Sequence, residues 1–143
     1  EGMAYGSYVA GMAFSNVGLG IVHSMAHPLG ARYDIAHGVA NALLLPFVME
    51  YNKPAARKKF GDIARAMGVD VKGMSEEAAA DAAIEAVRKL SKAIGIPQRL
   101  SEIGIKEEQL GQLAEDAFID PCTGGNPRKT SVAEILEIYK KAL

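Results

Sequence analysis

At 143 residues, 49% hydrophobic and 23% charged, the chain is long and apolar enough for one packed domain. Its formal net charge of −1, with acids and bases mixed along its length, excludes a basic face for nucleic acid or anionic lipid. The single cysteine, Cys122, excludes an internal disulfide and suits a reducing compartment, so cytoplasm is the expected location. No uninterrupted apolar run reaches the roughly eighteen residues of a membrane span, and the N-terminus lacks the order of a signal peptide. The first residues, Glu1-Gly-Met-Ala-Tyr5, carry no initiator Met and already follow a helical pattern, so the chain is expected to be a piece of something longer.

Apolar residues recur at three- and four-residue intervals, and no long alternating Val/Ile/Thr run occurs. The spacing therefore predicts an all-α fold, a single helical domain of about seven or eight helices. Tyr5, Tyr8, Val9, Met12 and Ala13 line one side of a first helix. Ser15 or Asn16 is the expected cap of a second, which carries Val17, Leu19, Ile21, Val22 and Met25 with His23 and His27. Pro28 and Gly30 weaken its end, and Gly30–Ala36 reads as a loop. A third helix is predicted from about His37 to Tyr51, bent or short of one hydrogen bond at Pro46.

Lys53-Pro54 opens a further helix that stops at Gly68. Ser75 caps a long one, Glu76–Ile94, with acids in its first turn and Arg88, Lys89 and Lys92 later, the order the helix dipole favours. Short helices are expected at Gln98–Glu102 and Lys106–Ala117, followed by the loop Asp120-Pro-Cys-Thr-Gly-Gly-Asn-Pro-Arg128. Ser131 with Glu134 makes a capping box for the last helix.

All three histidines fall in His23-Ser-Met-Ala-His27-Pro-Leu-Gly-Ala-Arg-Tyr-Asp-Ile-Ala-His37. Imidazole is the commonest metal ligand and titrates near neutrality, so this clustering points to a site. His23 and His27, four residues apart, project from one helix face, and the following loop is long enough to bring His37 back toward them. Small neighbours (Gly18, Gly20, Ser24, Ala26, Gly30, Ala31) permit close approach of a ligand or another backbone. For each imidazole the alternative is an ordinary half-buried side chain satisfied by backbone or carboxylate. A zinc protease of the HExxH type is excluded, because no glutamate lies between His23 and His27.

The stretch from Gly11-Met-Ala-Phe14 through His23-Ser-Met-Ala-His27-Pro-Leu-Gly to His37-Gly-Val-Ala-Asn-Ala-Leu-Leu-Leu-Pro46 closely resembles the signature of the iron-containing (group III) alcohol dehydrogenases. The likeness is nearest to their lactaldehyde:propanediol oxidoreductase and 1,3-propanediol dehydrogenase branch. It extends through Ile63-Ala-Arg-Ala-Met-Gly68 and Gly95-Ile-Pro97 to the Cys122-Thr-Gly-Gly-Asn-Pro-Arg128 loop. The resemblance implies the helical second domain of a two-domain enzyme, of the dehydroquinate synthase-like type. The first domain, which binds NAD(P) on a glycine-rich turn, has no counterpart in this sequence.

In that family an Asp and a His preceding this region and two His within it hold the metal, and the latter two fall on His23 and His37. His27 matches a position beside the metal and nicotinamide, a proton-relay candidate. Phe14 matches a substrate-pocket position, with core packing as its alternative. Cys122 matches the loop bordering the same cleft; as a thiol it is read as inert, since only Arg128 and Lys129 would lower its pKa. A mixed imidazole and carboxylate set suits Fe²⁺ and also Zn²⁺. The implied function is the metal- and substrate-binding half of an NAD(P)-dependent dehydrogenase of small alcohols and aldehydes, inactive alone. The competing reading is a helical association module that forms a homo-oligomer or docks onto a separate nucleotide-binding half through its exposed apolar wall. A metal store is disfavoured by too few ligands.

Overall fold

Gly18, at φ 82°, ends the first helix and turns the chain into the second at an angle of 110°. In the computed structural model, which describes residues 1–143, the elements are α1 (Gly2–Val17), α2 (Ile21–Tyr33), α3 (His37–Ala66), α4 (Glu76–Ala93), α5 (Leu110–Ile119) and α6 (Val132–Ala142). Short 3₁₀ turns lie at Leu100–Ile103, Glu107–Gln109 and Pro121–Gly125, and there is no strand. The fold is all-α, as the periodicity predicts. The count is six α-helices rather than seven or eight, because the short segments wind as 3₁₀ turns and the residues on either side of Pro54 join in one element.

Three local expectations are corrected. Ser15 and Asn16 do not cap α2. They lie inside α1, where Ser15 Oγ donates to the Gly11 carbonyl and Asn16 Nδ2 to the Met12 carbonyl, each at 2.7 Å. Such back-bonding is the usual alternative for these side chains. Second, α2 runs through Pro28 and Gly30 to Tyr33, and the connection shrinks to residues 34–36. Ser24, Met25, Pro28 and Leu29 are buried, and that tertiary packing outweighs the weak local propensity. The stop is Asp34 in the left-handed region (φ 56°), whose amide donates back to Gly30. Third, the backbone keeps helical dihedrals through Pro46 and breaks at Ala56 (φ −137°, ψ 19°), two residues beyond Pro54. The new helix expected at Lys53-Pro54 survives as this kink.

Other signals hold. Ser75 Oγ accepts from the Ala78 amide at 3.1 Å at the start of α4, and Gly68 (φ 84°) closes α3. Ser131 caps α6 by accepting from the Glu134 amide at 3.3 Å, but the capping box expected there is only half made, because the Glu134 carboxylate accepts from Ser131 Oγ and not from the Ser131 amide.

Helix α3 packs along α4, while α2 lies between α3 and α5, and α5 pairs with α6. The shared core takes Ile21, Met25 and Leu29 from α2, Leu43 and Leu44 from α3, Leu110 and Leu113 from α5, and Ile135 and Tyr139 from α6. Each fully buried aliphatic side chain contributes roughly 1.5–3 kcal/mol. Tyr139 adds direction, since its hydroxyl donates to the Met25 carbonyl at 2.6 Å and ties α6 to the helix that carries His23 and His27. Burial pushes its phenol far above the usual range, so it stays a neutral donor.

α1 takes no part in this core. None of its residues is buried, it carries no charged side chain, and Met3, Tyr5, Tyr8 and Val17 are 65–87% exposed. No single helix is long and apolar enough to cross a membrane.

Candidate active site

His23 and His27 stand one turn apart on α2, and His37 is the first residue of α3. The tight reversal at residues 34–36 folds the start of α3 onto the face of α2 that bears the other two. The three imidazoles converge. Ring centroids are 6.2 Å apart for His23 and His27, 5.4 Å for His23 and His37, and 5.5 Å for His27 and His37, the last pair stacked at 17°. Phe14, at the end of α1, lies 6.3 Å from the His23 ring and stays 44% exposed, so it faces the histidines rather than the core.

Burial holds the His23 imidazole below its ordinary pKa, with the positive charge that His37 and His27 would carry adding to the effect, while Asp120 opposes it. A neutral imidazole is the state a metal requires. At His37, Asn41 Nδ2 lies 3.2 Å from Nε2 and donates to the His37 carbonyl at 2.9 Å, while Asn41 Oδ1 is buried with no partner. The sequence did not single out this orphaned oxygen beside a prospective ligand.

The 3₁₀ turn at Pro121–Gly125 supplies the other wall. Asp120 caps it by accepting from the Cys122 amide at 2.8 Å through Oδ1, and its Oδ2 lies 2.7 Å from His27 Nδ1. Burial alone would raise the Asp120 pKa, but the hydrogen bonds from His27 and Cys122 outweigh it and hold the carboxyl below its usual range. An ionised carboxylate can only accept, so His27 carries its proton on Nδ1 and leaves Nε2 free. Asp120 is the residue that sequence reasoning missed. Its only local signal was the Asx cap of the turn, and the partner it orients lies 93 positions away. Cys122 lies beside His27 and Asp120. Burial, and then its contact with Asp120, raises its thiol pKa, so near neutral pH it is a thiol with no activation toward nucleophilic chemistry beyond that of an ordinary cysteine.

The rest of the Cys-Thr-Gly-Gly-Asn-Pro-Arg segment fastens this wall to the helices. Asn126 and Asn52 exchange amide hydrogen bonds at 2.8 and 2.9 Å, and Asn126 Nδ2 also donates to the Arg128 carbonyl at 2.7 Å. Thr123 Oγ1 lies 2.8 Å from Ser24 Oγ on α2. Arg128 lies over the Tyr51 ring at 4.0 Å and donates to the Tyr51 carbonyl and to Glu134. Gly125 packs so closely on the Leu19 carbonyl that a Cβ there would overlap its oxygen. Phe14, His23, His27, His37 and Cys122 thus lie in one region, and of these only His27 lines the open cavity of about 460 Å³ that it shares with Asp120, Arg32 and Asp116.

The chain is similar to proteins of known family. The model of the Fe-containing alcohol dehydrogenase family, C-terminal, matches residues 1–143. Lactaldehyde reductase of Escherichia coli K12 is 56% identical over 142 residues, which cover 99% of this chain and 37% of that protein. NAD-dependent methanol dehydrogenase of Bacillus methanolicus is 45% identical over 143 residues, all of this chain and 38% of that protein. A crystal structure of 1,3-propanediol oxidoreductase superposes with a TM-score of 0.97 at 50% identity, over 99% of this chain and 37% of that one. The chain therefore spans a little over a third of the proteins it matches, and it belongs to the iron-containing alcohol dehydrogenase family, corresponding to the C-terminal part of its members.

Proposed function

We propose that the chain is the metal- and substrate-binding half of an NAD(P)-dependent alcohol dehydrogenase that interconverts small primary alcohols or diols and aldehydes, and that it has no activity by itself. The convergence of three imidazoles beside a carboxylate-held His27 carries this reading. His23 and His37 would hold a divalent ion, Fe²⁺ or Zn²⁺. Their donor chemistry fits such an ion, His23 is kept neutral by its surroundings, and the remaining ligands would come from residues outside this chain. When bound, the ion supplies Lewis-acid polarisation of the alcohol or carbonyl oxygen.

The chain's own residues would do the following. His27 accepts the alcohol proton at Nε2 and passes it toward solvent, while Asp120 fixes its tautomer and stabilises the charge it takes up. Phe14 presents an apolar surface to the substrate carbon chain and excludes water from the metal side. Hydride transfer belongs to the nicotinamide, for which this chain has no glycine-rich phosphate turn. The nucleotide would be bound by an N-terminal domain, and the name of the methanol-oxidising relative supports NAD as the carrier. A cytoplasmic setting fits the free thiol of Cys122.

The test is direct. The 143-residue chain assayed with NADH, Fe²⁺ and a short aldehyde is expected to give no sustained turnover. Turnover that disappears in His23→Ala would overturn the claim that the chain is inactive alone.

α1 favours a second reading for the isolated chain, an association module. A helix with no charge and no buried residue leaves an apolar face that water disfavours. In sedimentation the chain is expected to self-associate, and Tyr8→Lys combined with Val9→Glu to return it to monomer. A strict monomer at high concentration would count against association.

A further inference from the structure

The Asp120–Cys122 turn has a property the dehydrogenase reading does not use. His27, Asp120 and Cys122 each offer one donor atom, an imidazole nitrogen, a carboxylate oxygen and a thiol sulfur, and these lie within 4.8 Å of one another. We propose that these three residues form a binding site for a thiophilic divalent cation of the Zn²⁺ class, separate from the His23 and His37 pair. The donors belong to two rigid elements. His27 is on α2, and Asp120 and Cys122 are locked together because Asp120 Oδ1 already accepts from the Cys122 amide. That bond occupies one carboxylate oxygen and leaves Oδ2 directed at His27.

The geometry needs little change. Four-coordinate zinc with bonds of about 2.0–2.3 Å places its ligand atoms about 3.2–3.8 Å apart. The 2.7 Å gap between His27 Nδ1 and Asp120 Oδ2 must open by about half an ångström or more, within the freedom of two half-buried side chains. All three residues are half-buried, so an ion can arrive from solvent, and a water can complete a tetrahedron from the open side. The donor set also selects the ion. One thiolate and one imidazole among three ligands favour Zn²⁺ or Cd²⁺ over the hard Mg²⁺ and Ca²⁺, which take oxygen donors. Binding displaces the thiol proton and the Nδ1 proton to solvent and involves no redox change. An ion here holds His27 through Nδ1 and removes Asp120 from it. If His27 is the proton relay proposed above, occupation of this site inhibits the dehydrogenase. The binding itself does not depend on that role.

Titration of the chain with Cd²⁺ tests the site through the ultraviolet sulfur-to-metal charge-transfer band. The band is expected to appear at one equivalent per chain, to vanish in Cys122→Ser, and to require at least tenfold more Cd²⁺ in His27→Gln and in Asp120→Asn. The side-chain carbonyl introduced by Asp120→Asn can still accept from the Cys122 amide, so the turn keeps its cap, and circular dichroism checks the fold of each variant. His23→Ala and His37→Ala are expected to keep the band, which separates this site from the proposed catalytic pair. As a second measurement on the unaltered chain, Zn²⁺ but not Mg²⁺ is expected to protect Cys122 from alkylation at least tenfold. The proposal is overturned if the chain shows no band and no protection, if His27→Gln and Asp120→Asn bind as the parent does, or if His23→Ala abolishes the band.

Discussion

Gly125→Ala is expected to destabilise the chain by about 3–5 kcal/mol, whereas Gly124→Ala, one residue earlier, changes it by no more than about 1 kcal/mol. The difference lies in what each Cβ would meet. At Gly124 there is nothing within 4 Å, while at Gly125 the new carbon would overlap the Leu19 carbonyl oxygen. Backbone cannot swing aside as a flexible side chain can. Either the turn at Pro121–Gly125 lifts or the Gly18–Gly20 link into α2 retreats. Overpacking of this kind costs about 1–3 kcal/mol, and separation of the Asn52–Asn126 pair adds the cost of amides left half-buried and unsatisfied. Urea unfolding measures both variants, with the Gly125→Ala midpoint expected to fall by about 1.5–2.5 M for a slope of ~2 kcal/mol/M. A Gly125→Ala midpoint within experimental error of the parent would show that the turn is not pressed against α2.

The same contact explains why two motifs far apart in the sequence act together. The histidine signature and the Cys-Thr-Gly-Gly-Asn-Pro-Arg segment meet at the N-terminus of α2, where the Ile21 amide also reaches Asn126 Oδ1 at 3.4 Å. Spacing alone put His23 and His27 on one face, because the helical repeat fixes it. Ser75 and Ser131 could be read as caps because the bond each makes spans three residues. What could not be read depended on tertiary partners. α2 runs on through Pro28 and Gly30 because Met25 and Leu29 are buried against α3 and α5, a gain that no local window contains. The Asp120 contact with His27 joins residues 93 positions apart, and the Asn52–Asn126 pair joins residues 74 apart. Ser15 and Asn16 are ambiguous for the opposite reason, since a side chain that can cap the next helix can equally bond back into its own.

In an enzyme completed by the nucleotide-binding region, His23→Ala and His37→Ala are each expected to lose the metal and at least about 10³-fold in kcat/KM, because an ion short of one ligand is neither held nor aimed. His27→Gln is expected to keep the metal and lose about 10²–10⁴-fold, the range of a positioned general base. Asp120→Asn falls between structure and chemistry. The substituted amide can turn its NH₂ toward Nδ1, which moves the imidazole proton to Nε2 and occupies the nitrogen assigned to the alcohol proton in the proposed relay. With Fe²⁺ as the only metal supplied, a loss of about 10–100-fold in kcat at unchanged Fe²⁺ content is expected. The double variant decides between orientation and simple packing. If Asp120 acts only through His27, Asp120→Asn in the His27→Gln background costs almost nothing further, and the two losses do not multiply. Losses that multiply, or metal that leaves with Asp120, would instead make the carboxylate an independent contributor to the site, and the 2.7 Å contact with Nδ1 would no longer account for its role.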